Sequence, residues 1–125
     1  MKIVRVFIAS ADKTFRLALL LLLESEPGVV VIGMADRAEG LPILIRASQP
    51  EVLLFDYELA KPAPINLIGD LHHLEHAPKI IVLALDPQVS AAVEQAGADA
   101  FVSKNLPPAL LLPVLRRMRA QLGLS

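Results

Sequence analysis

The sequence predicts an α/β fold built on a doubly wound parallel sheet, and three observations predict it. Short β-branched stretches alternate five times with stretches of helical spacing, the pattern of a parallel sheet with helices on both faces. One of them, Val52-Leu53-Leu54-Phe55, is apolar at every position, as suits a strand covered on both sides. That run stops abruptly at Asp56. In open parallel sheets ligands bind at the carboxyl ends of the strands, so Asp56 stands at the mouth of the expected site.

The elements follow in order. Residues 3–9, Ile-Val-Arg-Val-Phe-Ile-Ala, make a first strand by length and β-branched content. Asp12 is an N-cap for a helix to about Ser25, where Pro27-Gly28 stops it. Val29 to Ile32 makes the second strand. A helix from about Glu39 to Ala47 comes next, and Pro42 is tolerated only near its first turn. Gln49-Pro50 breaks that helix, and 52–56 is the third strand. Tyr57 to Pro62 reads as a loop, after which Ile65 to Leu74 repeats at helical spacing until Pro78 ends the segment. Lys79 to Leu85 is the fourth strand, and Pro87 to Ala96 is a helix closed by Gly97. Ala100 to Ser103 is a short fifth strand ending at Lys104. Pro107 or Pro108 opens a last helix to about Leu122, which Pro113 kinks unless the helix begins later.

Composition narrows the function. At 125 residues the chain is expected to be one domain, 1–125, long enough to bury a core. A net charge of −1 lacks the basic footprint of a dedicated nucleic-acid binder. Without cysteine there is no disulfide or thiolate chemistry. The longest apolar run, Leu17 to Leu23, is far shorter than the ~20 residues that span a bilayer. The first strand runs into Ser-Ala-Asp-Lys rather than a signal-peptide core. The expectation is a soluble, cytoplasmic chain that does not contact the membrane. Yet 54% hydrophobic content is high for a small domain, so some apolar surface has to be placed outside the core.

Four phrases then point to a family. They are Arg5-Val6-Phe7-Ile8-Ala9 with Phe15-Arg16 after it, Leu23-Glu24-Ser25-Glu26-Pro27, Pro50-Glu51 through Asp56, and Ala96-Gly97-Ala98-Asp99-Ala100-Phe101-Val102-Ser103-Lys104. Together they resemble the receiver domain of two-component response regulators across essentially the whole chain. The likeness is closest to receivers that precede a helix-turn-helix output domain. It implies a flavodoxin-like (βα)5 fold with strand order 2-1-3-4-5. It also implies that Asp56 accepts a phosphoryl group from a kinase histidine and that Lys104 binds the phosphoryl oxygens. Two acids after strand one hold Mg²⁺, a Ser or Thr ending strand four follows the phosphate, and Phe101 reports the switch by its rotamer.

The sequence departs from that pattern at the chemistry. Ser10 and Ala11 stand where the acidic pair belongs, and neither supplies the carboxylate on which magnesium relies. Ala84 replaces the hydroxyl of strand four, and Ala60 the proline four residues after Asp56. Asp12 or Glu58 could substitute for the acidic pair, but a helix cap and a solvated loop residue are the readier readings. A degenerate receiver is expected, with Mg²⁺ binding weak or absent and Asp56 meeting Lys104 directly. Phe101 is expected to turn inward beside the space that Ala84 leaves.

Other candidates are weaker. His72, His73 and His76 lie close in sequence, but the three imidazoles cannot converge on one metal from a helix. The leucines of the first helix are more telling. Phe15, Leu19, Leu22 and Leu23 share a core face, which leaves Leu17, Leu20 and Leu21 on the other side as a contact patch, extended by Leu111 or Leu112.

The leading reading is a non-enzymatic phosphorelay signalling module that works by protein contact as a homodimer. Its partner is a histidine kinase or an output domain. The chain itself does not contact nucleic acid, although it can be the N-terminal part of a longer transcription regulator. One alternative is a working phospho-acceptor at Asp56 that regulates a DNA-binding output domain. Another is a small-molecule sensor that uses the room left by Ser10, Ala11 and Ala84.

Overall fold

The computed structural model describes residues 3–123. Five parallel strands, β1 (Val4–Ala9), β2 (Val29–Ala35), β3 (Val52–Asp56), β4 (Lys79–Ala84) and β5 (Ala100–Ser103), form one sheet in the order β2-β1-β3-β4-β5. Between and after them run α1 (Lys13–Glu24), α2 (Leu41–Ser48), α3 (Pro64–His72), α4 (Ser90–Ala96) and α5 (Leu111–Gln121). This is the flavodoxin-like arrangement expected from the sequence.

Strand alternation divides the interior in two, because successive side chains leave a strand on opposite faces. Val4, Val6 and Ile8 of β1 and Val52 and Leu54 of β3 pack with Leu19 and Leu23 of α1 and Leu111, Leu115 and Met118 of α5. Phe7, Leu53 and Phe55 face the other way, against Leu41 and Ile45 of α2, Ile68 and Leu71 of α3 and Val93 of α4. All five residues of β3 are buried, which is why its sequence shows no polar alternation.

Local signals place the ends. The Asp12 carboxylate caps α1 by accepting from the Phe15 N–H at 3.1 Å. Pro42 lies in the first turn of α2, where its missing N–H costs no hydrogen bond. α4 ends at Gly97, whose φ of 123° suits a residue without a side chain.

Several boundaries differ from expectation. β2 continues past Ile32 to Ala35, and a bulge inserts Ile32 between the Val6–Val31 and Phe7–Gly33 pairs. Gly33 is what lets the strand continue, since a Cβ there would lie 2.7 Å from Cε2 of the Phe7 ring. Residues 57–60, expected as loop, wind into a 3-10 turn because the Asp56 side chain caps it through the Glu58 N–H. The segment before α4 and the one before α5 also begin as 3-10 turns. α5 therefore starts at Leu111, Pro113 falls in its first turn, and the kink is avoided. Opposite the sheet's carboxyl edge, Arg116 of α5 grips Glu26 with two hydrogen bonds of 2.8 and 2.9 Å, tying the α1–β2 loop to α5.

Candidate functional site

Three strand ends converge on one carboxylate. β3 delivers Asp56, only 2% exposed, at its last position. β1 ends next to Ser10, which is fully buried, and its N–H is fixed by the Ala35 carbonyl at 3.0 Å. β5 leads into Lys104, held by its N–H on the Ala84 carbonyl of β4 at 2.9 Å. These backbone ties fix where the Ser10 and Lys104 side chains leave the sheet.

The carboxylate is saturated. The Lys104 ammonium donates to both oxygens of Asp56 at 3.0 Å, with its own side chain 10% exposed. The Ser10 hydroxyl donates to Oδ2 at 2.7 Å, and the Glu58 N–H donates to Oδ1 at 3.2 Å. Charge-assisted bonds of this kind are about twice as strong as neutral ones. The direct Asp56–Lys104 contact expected from the sequence is present.

Helix α1 closes one side. The Phe15 ring lies 4.7 Å under the Lys104 ammonium, a cation–π contact. The next residue, Arg16, donates to the Ser10 carbonyl at 2.6 Å. Neither contact was anticipated. A Phe-Arg pair three residues after Asp12 carried the signal, but it was read only as part of a family phrase and of the core.

The remaining candidates are placed as follows. Ala11 and Asp12 are exposed, and the Asp12 carboxylate is engaged at the start of α1. The Glu58 carboxylate pairs with Lys61 at 3.2 Å and accepts from the Leu85 N–H at 3.4 Å. Ala84 is buried, and Phe101 is half-buried against the α2–α3–α4 core. Leu17 and Leu21 are exposed as expected, but Leu20 is half-buried against the α1–α5 core and Leu111 is fully inside it. The apolar face of α1 is thus narrower than the sequence suggested. Four surface cavities lie around other residues, and none of the four is lined by Asp56, Lys104 or Ala84. The histidines do not share a helix face: α3 stops at His72, and His76 adopts a φ of 58° beyond it. Among the described residues no group of three or more His, Cys, Asp or Glu is placed to hold a metal ion. No helix among them is long and apolar enough to cross a membrane.

Five parallel strands in the order 2-1-3-4-5, with Asp and Lys meeting at their carboxyl ends, make the fold that of response-regulator receiver domains. Solved structures bear this out. The chain is similar to a LuxR-family two-component response regulator from Aurantimonas, with 22% identity and a TM-score of 0.87 over 96% of this chain and 87% of that one. It is likewise similar to the receiver domain of the response regulator NarL from Mycobacterium tuberculosis (23% identity, TM-score 0.83, covering 95% and 98%). The receiver domain of RcsB from Salmonella enterica, solved with a phosphomimetic, gives 22% identity and a TM-score of 0.85, covering 95% and 90%. No protein-family model and no curated protein sequence matches the chain.

Proposed function

We propose that this chain is a receiver-like signalling module that acts by protein contact, in which magnesium-dependent phosphorylation of Asp56 is lost or very inefficient. The observation that carries this reading is the saturation of the Asp56 carboxylate by Lys104, Ser10 and the Glu58 N–H.

The donor set does not suit magnesium. That ion demands near-octahedral oxygen ligation and is normally held by carboxylates that offset its reluctance to lose water. Asp56 is the one buried carboxylate at this mouth. Asp12 is committed to the α1 cap and Glu58 to Lys61, while Ser10 aims its proton at Asp56 rather than a lone pair at a cation. Phosphoryl transfer depends on neutralising charge at the transferred oxygens, and Lys104 alone is poor provision for that. The ammonium here serves as a fixed internal counter-ion. In this reading Asp56 and Lys104 hold β3 and β5 in a single arrangement, with Phe101 and Ala84 frozen as switch positions.

The module is then non-enzymatic, and its partners are proteins: a kinase, an output domain or another copy of the chain. A cytoplasmic setting fits that role. Any contact with DNA would belong to a separate output domain of a longer regulator.

Incubation with acetyl phosphate and millimolar Mg²⁺, read by intact mass, tests the proposal. No mass gain is expected. A phosphoryl-sized gain that disappears in Asp56→Asn overturns it in favour of a working phospho-acceptor. A thermal shift with a nucleotide or metabolite, lost on filling the mouth with Ala84→Leu, would favour a small-molecule sensor instead.

A further inference from the structure

Helix α1 turns a stripe to solvent that nothing in the described protomer covers. Lys13, Leu17, Leu20 and Glu24 follow one another at three- and four-residue steps and so share one face, with Arg16 and Leu21 flanking it. Leu17 is 51% and Leu21 60% exposed. Half-buried Leu20 lines a shallow apolar cavity of about 180 Å³ together with Lys13, Arg16, Leu17 and Met34 of β2. A second cavity shares Arg16 and Met34 and reaches Leu44 of α2, but Asp36, Arg37 and Glu39 line it too, so the apolar surface ends near Met34.

The two charges at the ends of the stripe are unusual. Neither Lys13 nor Glu24 has a hydrogen-bond or ion-pair partner through its side chain among the described residues. Both also oppose the helix dipole. The N-terminus of a helix carries partial positive charge and the C-terminus partial negative charge. Here the first residue is a cation and the last an anion, with no acid in the first turn and no base in the last. The Asp12 carboxylate at the N-cap offsets the first of these, while Glu24 at the other end has no visible compensation within the protomer.

A second copy supplies the compensation. A two-fold axis crossing α1 midway between Lys13 and Glu24 lays two such helices antiparallel. Lys13 of each copy then meets Glu24 of the other and Leu17 meets Leu20, over a length of about 16 Å. We propose that α1 is a self-complementary dimerisation face, an antiparallel α1–α1 contact whose leucine stripe is clamped at both ends by Lys13–Glu24 pairs. This deepens the protein-contact reading above and rests on it. The leucines provide the burial, and the charges set the antiparallel sense.

Charge reversal on the full chain, read by sedimentation equilibrium across the micromolar range, tests it. In the symmetric dimer Lys13→Glu sets two Glu–Glu pairs face to face, and Glu24→Lys sets two Lys–Lys pairs. Each raises the dissociation constant about tenfold or more. Both substitutions suit the helix dipole, so an unchanged or raised thermal midpoint excludes unfolding as the cause. The double variant Lys13→Glu/Glu24→Lys, and an equimolar mixture of the two single variants, restore complementary pairs and return the constant to the wild-type range. A wild-type chain that stays monomeric at hundreds of micromolar overturns the α1–α1 contact without touching the proposal that some other protein is the partner. A dimer indifferent to every reversal overturns it by placing the interface elsewhere.

Discussion

Removing Lys104 is the most informative single perturbation, because it leaves a carboxylate that is 2% exposed without its cation. Lys104→Ala keeps the Ser10 hydroxyl and the Glu58 N–H on Asp56 but deletes both ammonium bonds and the contact with the Phe15 ring. Breaking a buried pair by removing one partner costs about 3–5 kcal/mol. Two remaining donors place this case at the low end, about 3 kcal/mol, or roughly 10 °C in thermal midpoint for a chain of this size. Asp56→Asn is the milder change. Its amide oxygen still accepts a hydrogen bond, and Lys104, at the rim, can turn its charge toward water. About 1 kcal/mol is expected there. Replacing both, as Asp56→Leu with Lys104→Met, should return stability to within about 1 kcal/mol of wild type. Urea unfolding of the three variants gives the comparison. If Lys104→Ala costs less than about 1 kcal/mol and the apolar double variant is no more stable than it, the pair is not an internal tie and the mouth is not fixed.

Three further outcomes are expected. Ser10→Ala strips a hydroxyl from the buried carboxylate and lowers unfolding stability by about 1–3 kcal/mol; a loss within error would mean that water replaces it freely. Gly33→Ala drives a methyl into the Phe7 ring and costs about 1–3 kcal/mol, seen as a lowered urea midpoint. The Arg116 guanidinium, chiefly through its hydrogen bonds, holds the Glu26 carboxyl below its ordinary value of 4.5. Just below pH 4.5 the unfolded chain therefore binds more protons at this site than the folded one. The stability it contributes is present above 4.5 and fades as pH falls through the lower folded value. Arg116→Ala should lower the midpoint modestly above pH 4.5 and converge with wild type in acid, flattening the curve between, and a difference that does not shrink as pH falls would count against the assignment.

Much of this was legible because single residues carry unambiguous signals. A fully apolar run ending in Asp56 could only be a central strand with its carboxylate at the rim, and the phrase ending in Lys104 set the second partner. Two kinds of information were not legible. Periodicity gives the face of a helix but not how far the core reaches around it, so Leu20 and Leu111 were assigned to a surface they only partly or never reach. Small residues were read as empty space, whereas Ser10 fills its position by donating to Asp56. The extension of β2 depended on Gly33 lying under Phe7, a contact between strands that no local pattern encodes. The 3-10 turn after β3 arose because one side chain, Asp56, both caps the turn and receives the ammonium.

The bulge at Ile32 has a wider consequence. β2 is the margin of the sheet, and its seven residues, Val-Val-Val-Ile-Gly-Met-Ala, contain no charge and no proline. Such a margin is an open template on which further chains can add strand by strand into fibres. The extra residue breaks it into two runs of three, 29–31 and 33–35, each too short to recruit a neighbour stably. Growth along the sheet is thereby discouraged.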